Sequence, residues 1–298
     1  NLDIWINFLT AGWSIPVIIK EPNPFHNRLA VKIALSPEES TNFTLGIGGK
    51  VNRNLSFTVD YYSINVEDRI VLSTEITPPN LPAFAGLSDL SFFVNALDTK
   101  TSGLEVVIGY NKIEAGSGTL GFNLSGNYTI QNERDGAVKN PTSVAATGQS
   151  VVNDTQEALF FTSRPKTKWI LGTTYDVGKW GLSLNNTYFG KTTFKQQGMS
   201  KDLRTEFTPK IVTDLGINFN ATEKLTLALN VNNLLNVLPE WSFKAENATG
   251  TAILNDPAQV KNQSNLITFN QRYSQMTYDG YHFSQLGTMF NLSLNYQF

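Results

Sequence analysis

The last nine residues, FNLSLNYQF, alternate without a break: Phe290, Leu292, Leu294, Tyr296 and Phe298 fall on one side, Asn291, Ser293, Asn295 and Gln297 on the other. Successive side chains of a β-strand point to opposite faces, so this is a strand with one apolar and one polar face. The pattern recurs upstream. Leu225, Leu227, Leu229 and Val231 alternate with Thr226, Ala228, Asn230 and Asn232, and Ile211, Leu215, Ile217 and Phe219 with Asp214, Gly216 and Asn218. Leu120, Phe122, Leu124, Tyr128 and Ile130 alternate with Gly121, Asn123, Ser125, Asn127 and Thr129. Residues 43–51, 55–70, 104–110, 169–175 and 180–188 add further strands, about nine in all of membrane-crossing length. Parity in the second of these slips between Tyr61 and Ile64, which predicts a bulge there or the end of its lipid-facing part.

The connections alternate too. NRN, EAGSG, VGK and NATEK are short, whereas residues 73–101, 131–166, 190–207 and 236–285 form longer loops between them. In an up-and-down barrel every second connection lies on the same rim, so all short turns fall on one side of the membrane and all long loops on the other. Aromatic residues follow the same division. Tyr175, Trp180, Phe219 and Phe298 sit near short turns or the terminus, and Tyr128, Trp169 and Tyr188 toward the long loops. The eight-residue step from Trp180 to Tyr188 covers roughly 20 Å of membrane normal in a tilted strand, close to the apolar band of an outer-membrane barrel. The predicted fold is therefore all-β: a transmembrane antiparallel up-and-down β-barrel whose apolar face meets lipid and whose polar face meets a wet lumen. A soluble β-protein with its apolar face inward explains neither the belts nor the loop rhythm.

With the short turns facing the periplasm, the strand at 43–51 runs inward from the cell exterior, so at least one more strand is expected before it. RLAVKIAL (residues 28–35) and NLDIWINF at the start are candidates. The chain is accordingly divided into residues 1–41, a partial strand or extracellular segment, and residues 42–298, the barrel strands and loops, and is expected to be the C-terminal part of a larger polypeptide.

Composition narrows the partners. The 23 basic and 25 acidic residues give a net charge of −2, which offers no counterion-release surface for nucleic acid. Cysteine is absent, excluding disulfides and thiolate metal sites. No run of about 18 apolar residues marks a membrane helix. GSGTLG (residues 116–121) matches a dinucleotide-binding pattern, but that needs a following helix, and here a strand continues, so the glycines are assigned to a hairpin. GIGGK (residues 46–50) fails likewise. Asn123-Leu124-Ser125, Asn127-Tyr128-Thr129 and Asn291-Leu292-Ser293 read as lumen-facing strand composition rather than glycosylation acceptors. The two histidines, His26 and His282, lie outside the clear strands with no nucleophile, base and orienter at a catalytic spacing. No catalytic residue, metal site or cofactor is assigned, and the protein is not expected to be an enzyme.

Four segments carry a family resemblance over residues 36–298. LSPEESTNFTLGIGG (35–49) resembles an L-x-P-E-x-S-x-N-x-x-x-G strand start, and LSFTVDYYSINVEDRIVLS (55–73) a strand ending in I-x-D-R-I. FFVNALDTKTSGLEVVIGY (92–110) carries D-T-x-T-x-G-x-E, and LALNVNNLLNVLPEW (227–241) carries N-L-x-N-x-x-P. In this order, before a terminal Phe298, they resemble the TonB-dependent outer-membrane receptors. The resemblance implies a 22-stranded barrel with a plugged lumen, of which about nine to ten strands are present here, in the outer membrane of a Gram-negative bacterium. It implies energy-coupled import of a scarce nutrient such as a metal chelate, cofactor or oligosaccharide. The TonB-ExbB-ExbD complex would act through a plug and TonB box not found in these residues; barrel-assembly machinery and a surface lipoprotein are further expected partners. A passive porin and a barrel scaffold for adhesion or complex assembly are the alternatives.

Loops on a rigid barrel are where a ligand is caught. The last one offers Trp241, Phe269, Arg272, Tyr273, Tyr278, Tyr281 and His282, a set suited to sugars, aromatic chelates or peptides, though packing of the loop on itself explains it as well. Asp60, Glu105 and Asp214 are expected to face the lumen, hydrating it or pairing with plug arginines. Glu38, Glu39, Glu67, Asp68 and Arg69 are expected to be solvated rim charges. Protease added to intact cells is predicted to cut within residues 131–166 or 234–287; cleavage confined to the short turns, mapped by mass spectrometry, would reverse the orientation.

Overall fold

The computed structural model describes residues 3–15, 35–78, 89–196, 198–267 and 283–298. In chain order the strands are β1 (Asp3–Ile15), β2 (Glu38–Lys50), β3 (Leu55–Leu72), β4 (Phe93–Ala115), β5 (Gly118–Arg134), β6 (Thr167–Val177) and β7 (Trp180–Phe189). They continue as β8 (Thr192–Phe194), β9 (Leu203–Phe207), β10 (Lys210–Asn220), β11 (Leu225–Asn232), β12 (Trp241–Ala245) and β13 (Met289–Tyr296). The helices are α1 (Thr142–Ala145), α2 (Asp154–Phe161), α3 (Ala248–Leu254) and α4 (Pro257–Ile267). Ten strands form one sheet in the order β1-β2-β3-β4-β5-β6-β7-β10-β11-β13, every pair antiparallel, and β12-β9-β8 form a second, small sheet. Among the described residues the large sheet does not close on itself, so its edge ladders require further strands to make a barrel.

Alternation fixes the faces. One cross-strand row runs Ile47, Val59, Val106, Gly126, Trp169, Tyr188, Ile211. Its single glycine has a packing reason, because the Trp169 ring lies across Gly126 and a side chain there would run into it. Trp180 and Phe219 are register partners near the short turns, their rings 4.4 Å apart. This apolar face is uncovered: Leu171, Ile211 and Leu292 are 42%, 55% and 79% exposed. A soluble sandwich would bury such a face, whereas a barrel wall gives it to lipid. The two clusters of buried apolar residues lie in and beside the long loops instead. No helix among the described residues is long and apolar enough to cross a membrane.

Four differences from the sequence reading have physical causes. The bulge in β3 is not between Tyr61 and Ile64: pairing with β2 is regular from Ser56 to Glu67, and the ladder to β4 shifts between Val66 and Ile70. Tyr62 broke the expected parity because it faces the polar side, lying over Gly103, which has no side chain in its way, and accepting a hydrogen bond from the Asn127 amide at 3.1 Å. Strand β4 starts at Phe93 rather than near 104; Val94, Ala96 and Leu97 are all buried there, so both faces are covered and the period of two vanishes. The long connections contain α1 to α4 and the small sheet, elements too short to carry a readable period. Residues 3–15 form β1, paired from Asp3↔Lys50 to Ile15↔Glu38, while 28–34 of RLAVKIAL lie outside the described residues. The GSGTLG motif spans the turn at 116–117 and the start of β5, and GIGGK lies within β2.

One polar pair breaks the apolar face. Thr213, between Ile211 and Leu215, donates a 2.8 Å hydrogen bond to the Asn186 side-chain oxygen. In the intact, membrane-inserted barrel, Thr213→Val is expected to cost about 1–3 kcal/mol by stranding Asn186, and adding Asn186→Leu is expected to recover most of it. Urea-unfolding midpoints measure both; a single variant as stable as the parent would show the pair to be idle.

Candidate functional site

The polar face supplies the inner wall. Its central row reads Gly46, Asp60, Glu105, Asn127, Lys168, Phe189, Lys210. Asp60 and Glu105 are thus register partners, two carboxylates directly opposite on one face, an arrangement that is unfavourable without a compensating cation. The Lys168 ammonium lies 5.1 Å from the Phe189 ring centre, and that ring lies 5.2 Å from Phe283. Asp214 accepts the Asn233 N–H at 2.7 Å. Asn233 itself has a positive φ of 53° and closes the turn with its side chain, donating to the Val237 carbonyl at 2.7 Å and accepting the Val237 N–H at 2.8 Å. The N-L-x-N-x-x-P segment is therefore a joint: Asn236 accepts the Thr288 N–H at 3.2 Å, and the Thr288 hydroxyl donates to the Asn233 carbonyl at 2.7 Å, tying the two ends of the last loop together.

A second joint sits where β3 leaves the wall. Asp68 has a positive φ of 54°, and its N–H donates to the Asp98 carboxylate at 2.8 Å. Lys139, from the loop after β5, donates to Asp68 and Asp98 at 2.7 and 2.6 Å. The Arg69 guanidinium lies 5.3 Å from the centre of the Phe160 ring, and Glu38 accepts the Ile70 N–H. Asp68 and Arg69, expected to be solvated, are thus also engaged, because the bulge turns them toward β4 and the loop above, and Glu38 of β2 is engaged by the β3 backbone.

The loops roof this wall. Helix α2 is capped by a reciprocal Asn153/Gln156 pair, Gln156 donates to the Leu72 carbonyl at 3.0 Å, and Asn132 donates to the Phe160 carbonyl at 3.2 Å. Five residue pairs join β12 to β9. Trp241 packs edge-on to Phe243, ring centres 5.4 Å apart, and both rest against a core of Ala158, Phe194, Phe207 and Ile267. Trp241 therefore sits between loops. The other expected ligand residues, Phe269, Arg272, Tyr273, Tyr278, Tyr281 and His282, lie outside the described residues, as does His26. Phe290, Leu292, Leu294 and Tyr296 share the exposed apolar face of β13, and Phe298 follows it, its ring 5.2 Å from that of Tyr296.

Among the described residues, two concavities open at the mouth. The larger, about 480 Å³, is bounded by Arg134 of β5, Glu157 of α2, and Lys166, Lys195, Arg204 and Glu246 from three loops. The smaller, about 130 Å³, lies beside Asp214, Phe189 and Phe283. The sequence reading missed Arg134, Lys166 and Lys195. They are isolated in the chain, and only the folding together of separate loops makes them neighbours. Among the described residues no three His, Cys, Asp or Glu side chains come together as a metal site.

Residues 14–234 match the family described as TonB dependent receptor-like, beta-barrel. The chain belongs to that family. TonB-dependent receptors are outer-membrane proteins of Gram-negative bacteria. Two solved structures share the fold: the FrpB iron transporter of Neisseria meningitidis, at 15% identity and a TM-score of 0.51, and the siderophore receptor PirA of Acinetobacter baumannii, at 14% and 0.54. Each similarity covers 89% of this chain but only 31% and 32% of those chains, so this TonB-dependent barrel segment spans about a third of their length. No curated protein matches the sequence.

The joint at Asp68 lies beyond the membrane band, since Asp98 is six residues outward from Leu104, the register partner of Tyr128 in the outer aromatic belt. Burial alone would raise the Asp98 pKa, but the Lys139 hydrogen bond, the Asp68 N–H and the lysine charge together hold it below the usual carboxylate value. Lys139 loses some charge preference to burial, but the two carboxylates raise it overall. A lowered acid stabilises the fold above its unfolded pKa and a raised base below its own, so the joint is expected to hold from about pH 4 to about pH 10 and to loosen on acidification below that window. The protection factor of the Asp68 amide, taken against the intrinsic exchange rate at each pH, is expected to fall toward pH 3, and at neutral pH in Lys139→Ala; equal protection in the variant would show that the lysine does not hold the joint.

Proposed function

We propose that this chain is the C-terminal barrel wall and extracellular mouth of an energy-coupled importer in the outer membrane, taking up a scarce nutrient such as a metal chelate, cofactor or oligosaccharide. The observation that carries the reading is the roof: a wall of TonB-dependent type is topped by loops with their own buried cores, capped helix and small sheet, which frame a concave mouth over the polar face. A passive pore gains nothing from so much ordered structure above its entrance. In this scheme the loops capture the solute and a plug closes the lumen, its cations meeting the facing Asp60 and Glu105 carboxylates. The TonB-ExbB-ExbD complex draws the plug aside, barrel-assembly machinery inserts the protein, and a surface lipoprotein is a further candidate partner. The chain itself performs no catalysis and needs no cofactor. FrpB and PirA are described as an iron transporter and a siderophore receptor, which supports metal chelates as candidate solutes.

Planar-bilayer conductance tests this. The intact receptor is expected to be electrically silent until urea loosens the plug, then to open in steps. Steady ohmic conductance from the moment of insertion identifies a passive porin, and silence persisting through plug-unfolding urea points to a scaffold.

A further inference from the structure

The roof and the wall are open on the same side. The large sheet ends at β13, and the small sheet ends at β12, which is carried by the loop between β11 and β13. Each loop is tied to the next around the rim: the Thr193 N–H of β8 donates at 3.1 Å to the carbonyl of Thr162, which caps α2, then β8 pairs with β9 and β9 with β12. At β12 the series stops. The Thr208 N–H donates to the Glu240 carbonyl at 3.0 Å and the Glu246 N–H to the Asp202 carbonyl at 2.8 Å. Hydrogen-bonded pairs alternate along an antiparallel ladder, so Ser242 and Lys244 turn their backbone groups toward β9, while Trp241, Phe243 and Ala245 turn theirs away. These outward N–H and C=O groups have no partner among the described residues, although the three residues are half-buried. Shortness and one lysine are the only devices that guard this edge against pairing. Its two faces differ. Trp241 and Phe243 meet the core of Ala158, Phe194, Phe207 and Ile267. Lys244 lies on the other face, directly opposite Arg204, a like-charge pair that is unfavourable unless compensated. Glu246 and Glu206 engage Arg204 at 2.8 and 3.6 Å, whereas Lys244 has no ion pair among the described residues.

We propose that β12 is a docking edge for an extended segment of the same polypeptide: the extracellular loop carried by the wall strand that pairs with β13. This rests on the importer reading, in which further strands close the wall. The occupant follows from position, because a strand that completes the ladder at β13 brings its own loop up beside β12. That loop docks by strand addition, its backbone meeting the free N–H and C=O groups of Trp241, Phe243 and Ala245. Period two then sets its side chains. Apolar ones continue the core beside Trp241 and Phe243, and a carboxylate stands beside Lys244. The roof is closed over the same seam as the wall, and the loops flanking that seam move together.

Hydrogen exchange resolved to single residues, on the intact receptor in detergent, reads the edge directly. With the strand added, the amides of Trp241, Phe243 and Ala245 are expected to exchange about tenfold or more below their intrinsic rates, as those of Ser242 and Lys244 do in either case. Protection confined to Ser242 and Lys244 overturns the proposal. The photo-reactive residue p-benzoylphenylalanine, placed at Ser242, identifies the occupant. A cross-link within the same polypeptide to a segment outside residues 1–298 is expected. Links only to residues 1–298, a link to another protein or to a second copy, or no link at all overturns the proposal. The exchange measurement uses the unaltered protein and so does not depend on whether that variant folds. Protected edge amides in a barrel that conducts from the moment of insertion overturn the importer reading alone; unprotected ones in a silent, urea-opened barrel overturn the added strand alone.

Discussion

A backbone N–H or C=O placed in hydrocarbon has no water to turn to, and everything else in this chain follows from that. The ten-stranded sheet meets the demand with antiparallel ladders that run between short turns. Once the ladders fix the strands, a period of two assigns every side chain to lipid or lumen. That is why Trp169, Tyr188 and Ile211 stand in one row with Ile47 and Val59, far apart in the chain, and why Asp60 stands opposite Glu105. Above the outer aromatic belt the constraint lifts. The chain there returns to the habits of a water-soluble protein, burying Val94, Leu97, Val151 and Phe161 in one cluster and Phe194 and Phe207 in another.

This division explains what could be read in the sequence. Strands with one lipid face and one wet face carry an alternation that nothing else produces, so β5, β7, β10, β11 and β13 were legible directly. Tyr62 misled because an aromatic residue was read as lipid-facing when a glycine on the next strand made room for it inside. Residues 93–101 were silent because loops cover the wall there on both sides. The strands of the small sheet, of three and five residues, are shorter than any pattern that periodicity can detect. The cavity between the loops was invisible for a different reason: Arg134, Lys166 and Lys195 are unremarkable singly, and they become neighbours only in the fold.

The segments that made the family recognisable mark joints rather than a ligand site. Asp68 and Asn233 both adopt positive φ, and each is held through its N–H by an aspartate of a neighbouring strand, Asp98 and Asp214. Both lie where a strand leaves the wall and hands over to a loop. A carboxylate receiving an exposed N–H at such a point satisfies a donor that the ladder has just abandoned. Such joints hold the step from strand to loop whatever the loops between them carry.

The ladder between β12 and β9 has a mechanical consequence. Residues 203–207 and 241–245 belong to different loops, one rising from β7 and falling to β10, the other rising from β11 and falling to β13. Zipped together over five pairs, they form one plate hinged at four neighbouring strand ends. Such a plate resists sliding, because sliding strains all five pairs at once, but peels from one end pair by pair. This side of the mouth therefore moves as the plate tilts, and a displacement of either loop is shared by both.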